Sequence, residues 1–133
     1  ANGMLVTIGQ SPVKVAFVTD GLSNTILVGE RWLAPDWYLA PGGPESDDYR
    51  GGYTQGLVGF GNNTRWGAYQ PLRDMPYNAV TTLYRTFGSA HAQGFNAVFG
   101  DGTVRMIHYD VNLGLFTIAC VRNDGQPINP NDL

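Results

Sequence analysis

His91 and His108 are the two histidines of the chain, so any chemistry that needs an imidazole must use one of them. A Ser-His-Asp arrangement would have to recruit one of these rings, yet there is no G-x-S-x-G elbow and no serine whose context singles it out. Ser11-Pro-Val-Lys14 fits S-x-x-K by letters, but that chemistry places both residues on one helical turn, and the valine-rich surroundings read as strand. Zinc or copper could draw on His91, His108, Glu30, Asp101 and Asp110, which are suitable ligand types. None of them shows the tight spacing of H-x-H or H-E-x-x-H. Calcium could use loop oxygens around Asp110 and Asn112, or those of Asn129, Asn131 and Asp132, although the full D-x-[DN]-x-[DN]-G loop is missing. A glycosidase needs two opposed carboxylates. Glu30, Asp36, Glu45, Asp47 and Asp48 are the candidates, and nothing in their spacing makes two of them converge. No catalytic residue is assigned, a metal stays an open question, and the balance favours a protein that is not an enzyme.

Flat amphipathic rings are the other chemically useful feature. Trp32, Trp37, Tyr38, Tyr53, Trp66 and Tyr69 lie near loops, where such residues anchor recognition surfaces. Their first reading is packing against a sheet. Their second is a platform for a glycan or other ligand, built from Trp37, Tyr38, Trp66 and Tyr69. Cys120 is the single cysteine and sits among apolar neighbours, so it reads as a buried small hydrophobe with no intrachain disulfide to form.

The elements that must position these groups follow from composition and pattern. At 133 residues the chain is expected to form one domain over 1–133, with 14% charged residues and 18 glycines favouring turns and short strands over long helices. Met4–Ile8, Val13–Val18 and Thr25–Glu30 read as strands, the last as one covered on both faces. Residues 35–77 are rich in Pro, Gly, Asn and Asp with interspersed aromatics, and are expected to be an irregular but ordered excursion, with a short strand at Gly56–Phe60. Thr81–Phe87 is either strand or helical turn. Asp101-Gly102 between apolar runs predicts a hairpin with a two-residue type I′ turn, which makes facing residue numbers sum to 203. Phe95, Ala97 and Phe99 then oppose His108, Met106 and Val104 on one apolar face. His91 falls at the open end of that hairpin, its side chain expected to hydrogen-bond backbone or an oxygen of Asp110 or Asn112, far from Asp101. Asn112 should cap one C-terminal helix that runs to about Arg122, with Cys120 on its buried side. The fold class expected is α+β leaning to all-β.

Eleven acidic against eight basic residues, a net charge of −3 and no basic cluster argue against nucleic acid and against an anionic membrane surface. No apolar run is long enough to span a bilayer.

Two stretches carry a resemblance. Phe87-Gly-Ser-Ala-His91-Ala-Gln-Gly-Phe-Asn-Ala-Val-Phe-Gly-Asp101-Gly102 places nine residues between His91 and Asp101-Gly102. It is similar to the H-X9-DG signature of the planctomycete-type family of prepilin-like proteins. Val18-Thr-Asp20-Gly21-Leu-Ser-Asn24-Thr-Ile-Leu-Val-Gly-Glu30 resembles that family's other recurrent stretch, T-D-G-x-S-N-T-[IL]-L-V-G-E. The resemblance covers the globular part, from about Asn2 through Gln126. It implies a pilin-like head and a pseudopilin-like, type II secretion-like protein that is exported to the periplasm or cell surface. There it would act through protein contacts in a fibre or surface assembly, without a cofactor. Its motif residues Asp20, Gly21, Asn24, Glu30, His91, Asp101 and Gly102 are expected to be structural. Because the chain opens at Ala1 without a leader or the family's long apolar helix, a trimmed or processed form is expected. A glycan-binding module on the aromatic excursion is the second reading, and a small metal-dependent enzyme using His91 or His108 the third.

Overall fold

The computed structural model describes residues 3–5, 11–38, 67–76 and 86–133. Its centre is an antiparallel three-stranded sheet in the order β1-β4-β5, from strands β1 (Ile26–Gly29), β4 (Gly94–Phe99) and β5 (Val104–His108). A second, two-stranded sheet pairs β2 (Leu72–Arg73) in parallel with β3 (Gly88–Ser89). Helix α1 (Leu113–Ala119) follows β5. The fold is α+β leaning to β, as the turn-rich composition implies.

Alternation along β4 makes the core. Phe95, Ala97 and Phe99 point to one face and are buried with Ile26, Phe87, Ile107, Val111, Phe116 and Ala119. Phe116 from α1 stands edge-on to both Phe87 and Phe95, with ring centroids 5.6 and 6.0 Å away, while Phe87 stacks on Phe95 at 5.5 Å. Such arrangements add to the burial of the rings because edge and face carry opposite partial charge.

The hairpin has a different register from the two-residue expectation. Phe95 faces Ile107, Ala97 faces Arg105 and Val98 faces Val104, so facing numbers sum to 202. The connection is the three-residue loop Gly100-Asp101-Gly102, closed by Gly102 N–H donating to the Phe99 carbonyl at 2.9 Å. A type I′ turn needs positive φ at both central residues, and here only Gly102 has it, at 86°. Asp101 instead accepts the Thr103 N–H at 2.9 Å and the Thr103 hydroxyl at 2.7 Å. The result is a type I turn followed by a left-handed glycine. One residue of slip exchanges the faces of β5. Val104 and Met106 are 65% and 45% exposed, while Ile107 is fully buried.

Other expectations for the chain need correction. Val13–Val18 is not a strand: Val15–Phe17 form a 3-10 turn held by Lys14 and Val15 carbonyls, with both Val15 and Phe17 exposed. Among the described residues no strand pairs with this segment, so local β propensity has nothing to act on. Residues 3–5 form bends, and 6–8 lie outside the described residues. β1 is covered on one face only, with Ile26 buried and Val28 exposed. α1 is shorter than expected, because Cys120 is already its C-cap. Asn112 caps its start as expected, its Oδ1 accepting the N–H groups of Gly114 and Leu115. Most of the excursion, including Gly56–Phe60, and residues 81–85 lie outside the described residues. The described ends are a 3-10 turn at Pro35–Trp37 and β2.

Candidate functional site

The two recurrent stretches meet in space at both ends of the β4-β5 hairpin. At the open end, β1 stops at Gly29, and Glu30 N–H still donates to the Asn96 carbonyl at 3.1 Å. The Asn96 N–H, which the ladder would otherwise leave without a partner, donates at 2.7 Å to Oε2 of the Glu30 side chain. The Asn96 amide reaches the same oxygen at 3.3 Å. Oε1, the other oxygen, lies 3.3 Å from His91 Nε2. One carboxylate thus replaces a rung of the sheet and holds the histidine.

His91 is itself positioned through its backbone. Its N–H donates to Ser89 Oγ at 3.1 Å, and the Tyr109 hydroxyl donates to the His91 carbonyl at 3.1 Å. Ser89 also donates to the Gly94 carbonyl at 3.0 Å, so the loop between β3 and β4 is cross-braced. The partner expected at Asp110 or Asn112 is therefore Glu30, because the shifted register and the bonds from Ser89 and Tyr109 turn the loop toward β1. Asn112 Oδ1 is committed to the helix cap. A shallow, open depression of about 240 Å³ lies beside the pair, lined by His91, Ala92, Gln93, Asn96 and Met106.

At the turn end, the first stretch cradles the hairpin loop. Gly100 N–H donates to the Thr25 carbonyl at 2.9 Å and Asp101 N–H to the Leu22 carbonyl at 3.2 Å. The cradle keeps its shape because Asn24 Nδ2 donates to the Asp20 carbonyl at 2.8 Å and Thr25 Oγ1 to the Gly21 carbonyl at 3.1 Å. Gly21 has φ 98°, a conformation that glycine adopts without strain. The Asp20 side chain is buried and turns the other way, accepting the N–H groups of Asp124 and Gly125 at 2.7 and 2.9 Å. Burial pushes its carboxyl up, and these two N–H groups outweigh it, so its pKa lies below the usual carboxylate value. Asp101, at the surface, is held low by the Thr103 N–H and hydroxyl.

His91 and Asp101 do not share a site. They sit at opposite ends of β4, whose six residues span roughly 20 Å. Among the described residues no three His, Cys, Asp or Glu side chains gather as a metal site would require. Of the aromatic platform candidates, Tyr38 is partly exposed, and its hydroxyl donates to Asp74 Oδ2. Burial and the Asp74 carboxylate push the Tyr38 pKa up to about 12. Asp74 Oδ1 accepts the Leu33 N–H at 2.8 Å, tying the two ends of the excursion together. Tyr69 is half-buried and Trp32 fully buried, whereas Trp66 and the Trp37 side chain lie outside the described residues.

The chain matches the profile of the family described as "Protein of unknown function (DUF1559)" over residues 1–114, which is 114 of its 133 residues. The chain belongs to the DUF1559 family. Both interlocked stretches fall inside the region matched to DUF1559. No curated protein and no solved structure matches the chain. Sequence reasoning placed Glu30 and His91 among the motif residues but missed Asn96, Ser89 and Tyr109. The one signal available for Asn96 was a polar residue inside an otherwise apolar strand.

Proposed function

We propose that this chain is the globular head of a pseudopilin-like protein, exported and non-enzymatic, which acts through protein contacts in a fibre or surface assembly. The observation that carries this reading is the fate of the motif carboxylates. Glu30 is taken up by Asn96 and His91, Asp20 by Asp124 and Gly125, and Asp101 by Thr103. Carboxylates that accept backbone N–H groups in this way build a scaffold, tying β1 to β4 and the turn after α1 to the first stretch. The sheet face away from α1 supports the same reading, because a row of valines crosses it: Val28 faces Val98, and Val98 faces Val104. Exposed apolar rows of this kind mark contact surfaces. Fractionation of cells making the native-length protein tests the proposal. The protein should appear in the exported fraction and sediment with an assembly, and Val28→Lys should release it without changing its thermal unfolding. Retention in the cytoplasm, or an unshifted monomer in both forms, would overturn the reading.

A further inference from the structure

The outer face of the sheet ends in a polar corner. Alternation puts Asn96 and Val98 on the face opposite Phe95, Ala97 and Phe99, where Asn96 faces Met106 as Val98 faces Val104. The valine row therefore runs into the depression at the open end, whose lining is apolar at Met106 and Ala92 and polar at His91, Gln93 and Asn96. Glu30 decides what that lining offers. An ionised carboxylate only accepts hydrogen bonds, so the groups it holds must turn protons toward it. His91 Nε2 lies 3.3 Å from Oε1, and Asn96 Nδ2 donates to Oε2 at 3.3 Å. The uncharged His91 ring then keeps its lone pair on Nδ1, and Asn96 keeps Oδ1, as acceptors. Among the described residues neither atom has a partner. The corner carries two acceptors backed by one negative charge, and no lysine or arginine lines it. The arginine of β5, Arg105, is on the other face, over the Phe99 ring at 4.3 Å.

We infer that this corner takes the basic side chain of a partner protein, with that partner's apolar residues laid on the valine row. Charge complementarity selects the occupant. An ammonium or guanidinium brings only donors, which is what two acceptors and a carboxylate require. An acidic group would meet Glu30 and both acceptors with nothing to donate. Met106 and Ala92 give the aliphatic stem of a lysine or arginine an apolar surface to lie along. The inference rests on reading the domain as a contact module and names the chemistry of its partner.

Peptide binding to the purified full chain at about pH 8 tests it, read from backbone amide shifts of the labelled protein. In an extended partner, residues two apart share a face at about 6.6 Å, the same step that separates Asn96 from Val98. The probe is therefore acetyl-Arg-Thr-Val-Thr-Val-amide. At millimolar peptide it should move the amides of Ala92, Gln93, Asn96 and Met106. It should bind at least about threefold tighter than the same peptide with citrulline for arginine, the scale of an exposed ion pair. Replacing both valines by serine should weaken it at least about threefold, through lost apolar contact. Gln93→Lys puts a cation at the exposed rim and should abolish the preference for arginine. The absence of shifts at these amides overturns the proposal. Arginine and citrulline peptides binding alike overturn it too, since a neutral ligand then suffices. So does equal binding of the serine peptide, which belongs to a site for a free cation, and so does an arginine preference that survives Gln93→Lys. If Gln93→Lys alters the spectrum beyond its own loop and strand, the two peptide comparisons decide alone. Because these measurements use isolated protein, their failure is separable from a failure of export and sedimentation in cells.

Discussion

Replacing Asp20 by alanine should destabilise the fold by about 2 kcal/mol. Asp20 is 8% exposed, and its carboxylate accepts two backbone N–H groups, at 2.7 and 2.9 Å, from the turn that follows α1. Hydrogen bonds to a charged group contribute roughly 1.5–3 kcal/mol each. Asp124 and Gly125 are exposed, so water recovers part of that loss and the sum falls to about one bond's worth. For a domain of this size the cost corresponds to a drop in Tm of roughly 6–10 °C. Asp20→Asn should cost less, since its amide oxygen can still accept one of the two N–H groups. The pH dependence follows from the sign of the shift. The folded pKa of Asp20 lies below its unfolded value. Its contribution is therefore fully present above the unfolded pKa of about 3.9 and is lost as pH falls through the lower folded value. Urea unfolding of the wild type and Asp20→Asn at a series of pH values from 6 down to about 2 is the assay. The two stability curves should converge at the acid end. An Asp20→Ala variant within about 0.5 kcal/mol of wild type, which is the range of ordinary surface substitutions, would refute the argument. So would curves that stay parallel through the acid limb.

Gly102→Ala should cost about 1–2 kcal/mol in thermal or urea unfolding, because φ is 86° there and nothing lies within 4 Å of an added methyl; a neutral result would mean the turn is not built as described. Gly67→Ala should be more damaging, since its Cβ would collide with Cys120 Cβ and Sγ; equal stabilities would show that the excursion does not return onto α1 at that point. Cys120 should label with thiol reagents far more slowly than a free thiol at neutral pH, because burial pushes its pKa up to about 12; labelling at the free-thiol rate would contradict that burial. His91→Ala should cost less than about 1 kcal/mol, as its contact with Glu30 is between groups 55% and 38% exposed; a large loss would mean the ring carries more than that contact.

The strand-rich class, the hairpin at Asp101-Gly102, the cap at Asn112 and the residues of both stretches were legible along the chain. Each of these is written in local chemistry: alternation of apolar residues, a turn dipeptide, and a side chain that accepts from N–H groups two and three positions on. The register was not legible in this way. Asp-Gly is compatible with two-residue and three-residue loops, and the choice turned on Asp101 bonding to Thr103 while Gly100 and Asp101 donate to the carbonyls of Thr25 and Leu22. That contact joins residues far apart in the chain, and it decided which face of β5 holds Ile107 and which exposes Val104 and Met106. Val15–Phe17 show the same limit from the other side, since the strand formers Val15 and Phe17, with no partner strand among the described residues, lie in a 3-10 turn. The meeting of Glu30 with His91 and Asn96 belongs wholly to the tertiary structure. Side-chain type announces what a residue can donate or accept, but long-range pairing alone chooses its partner.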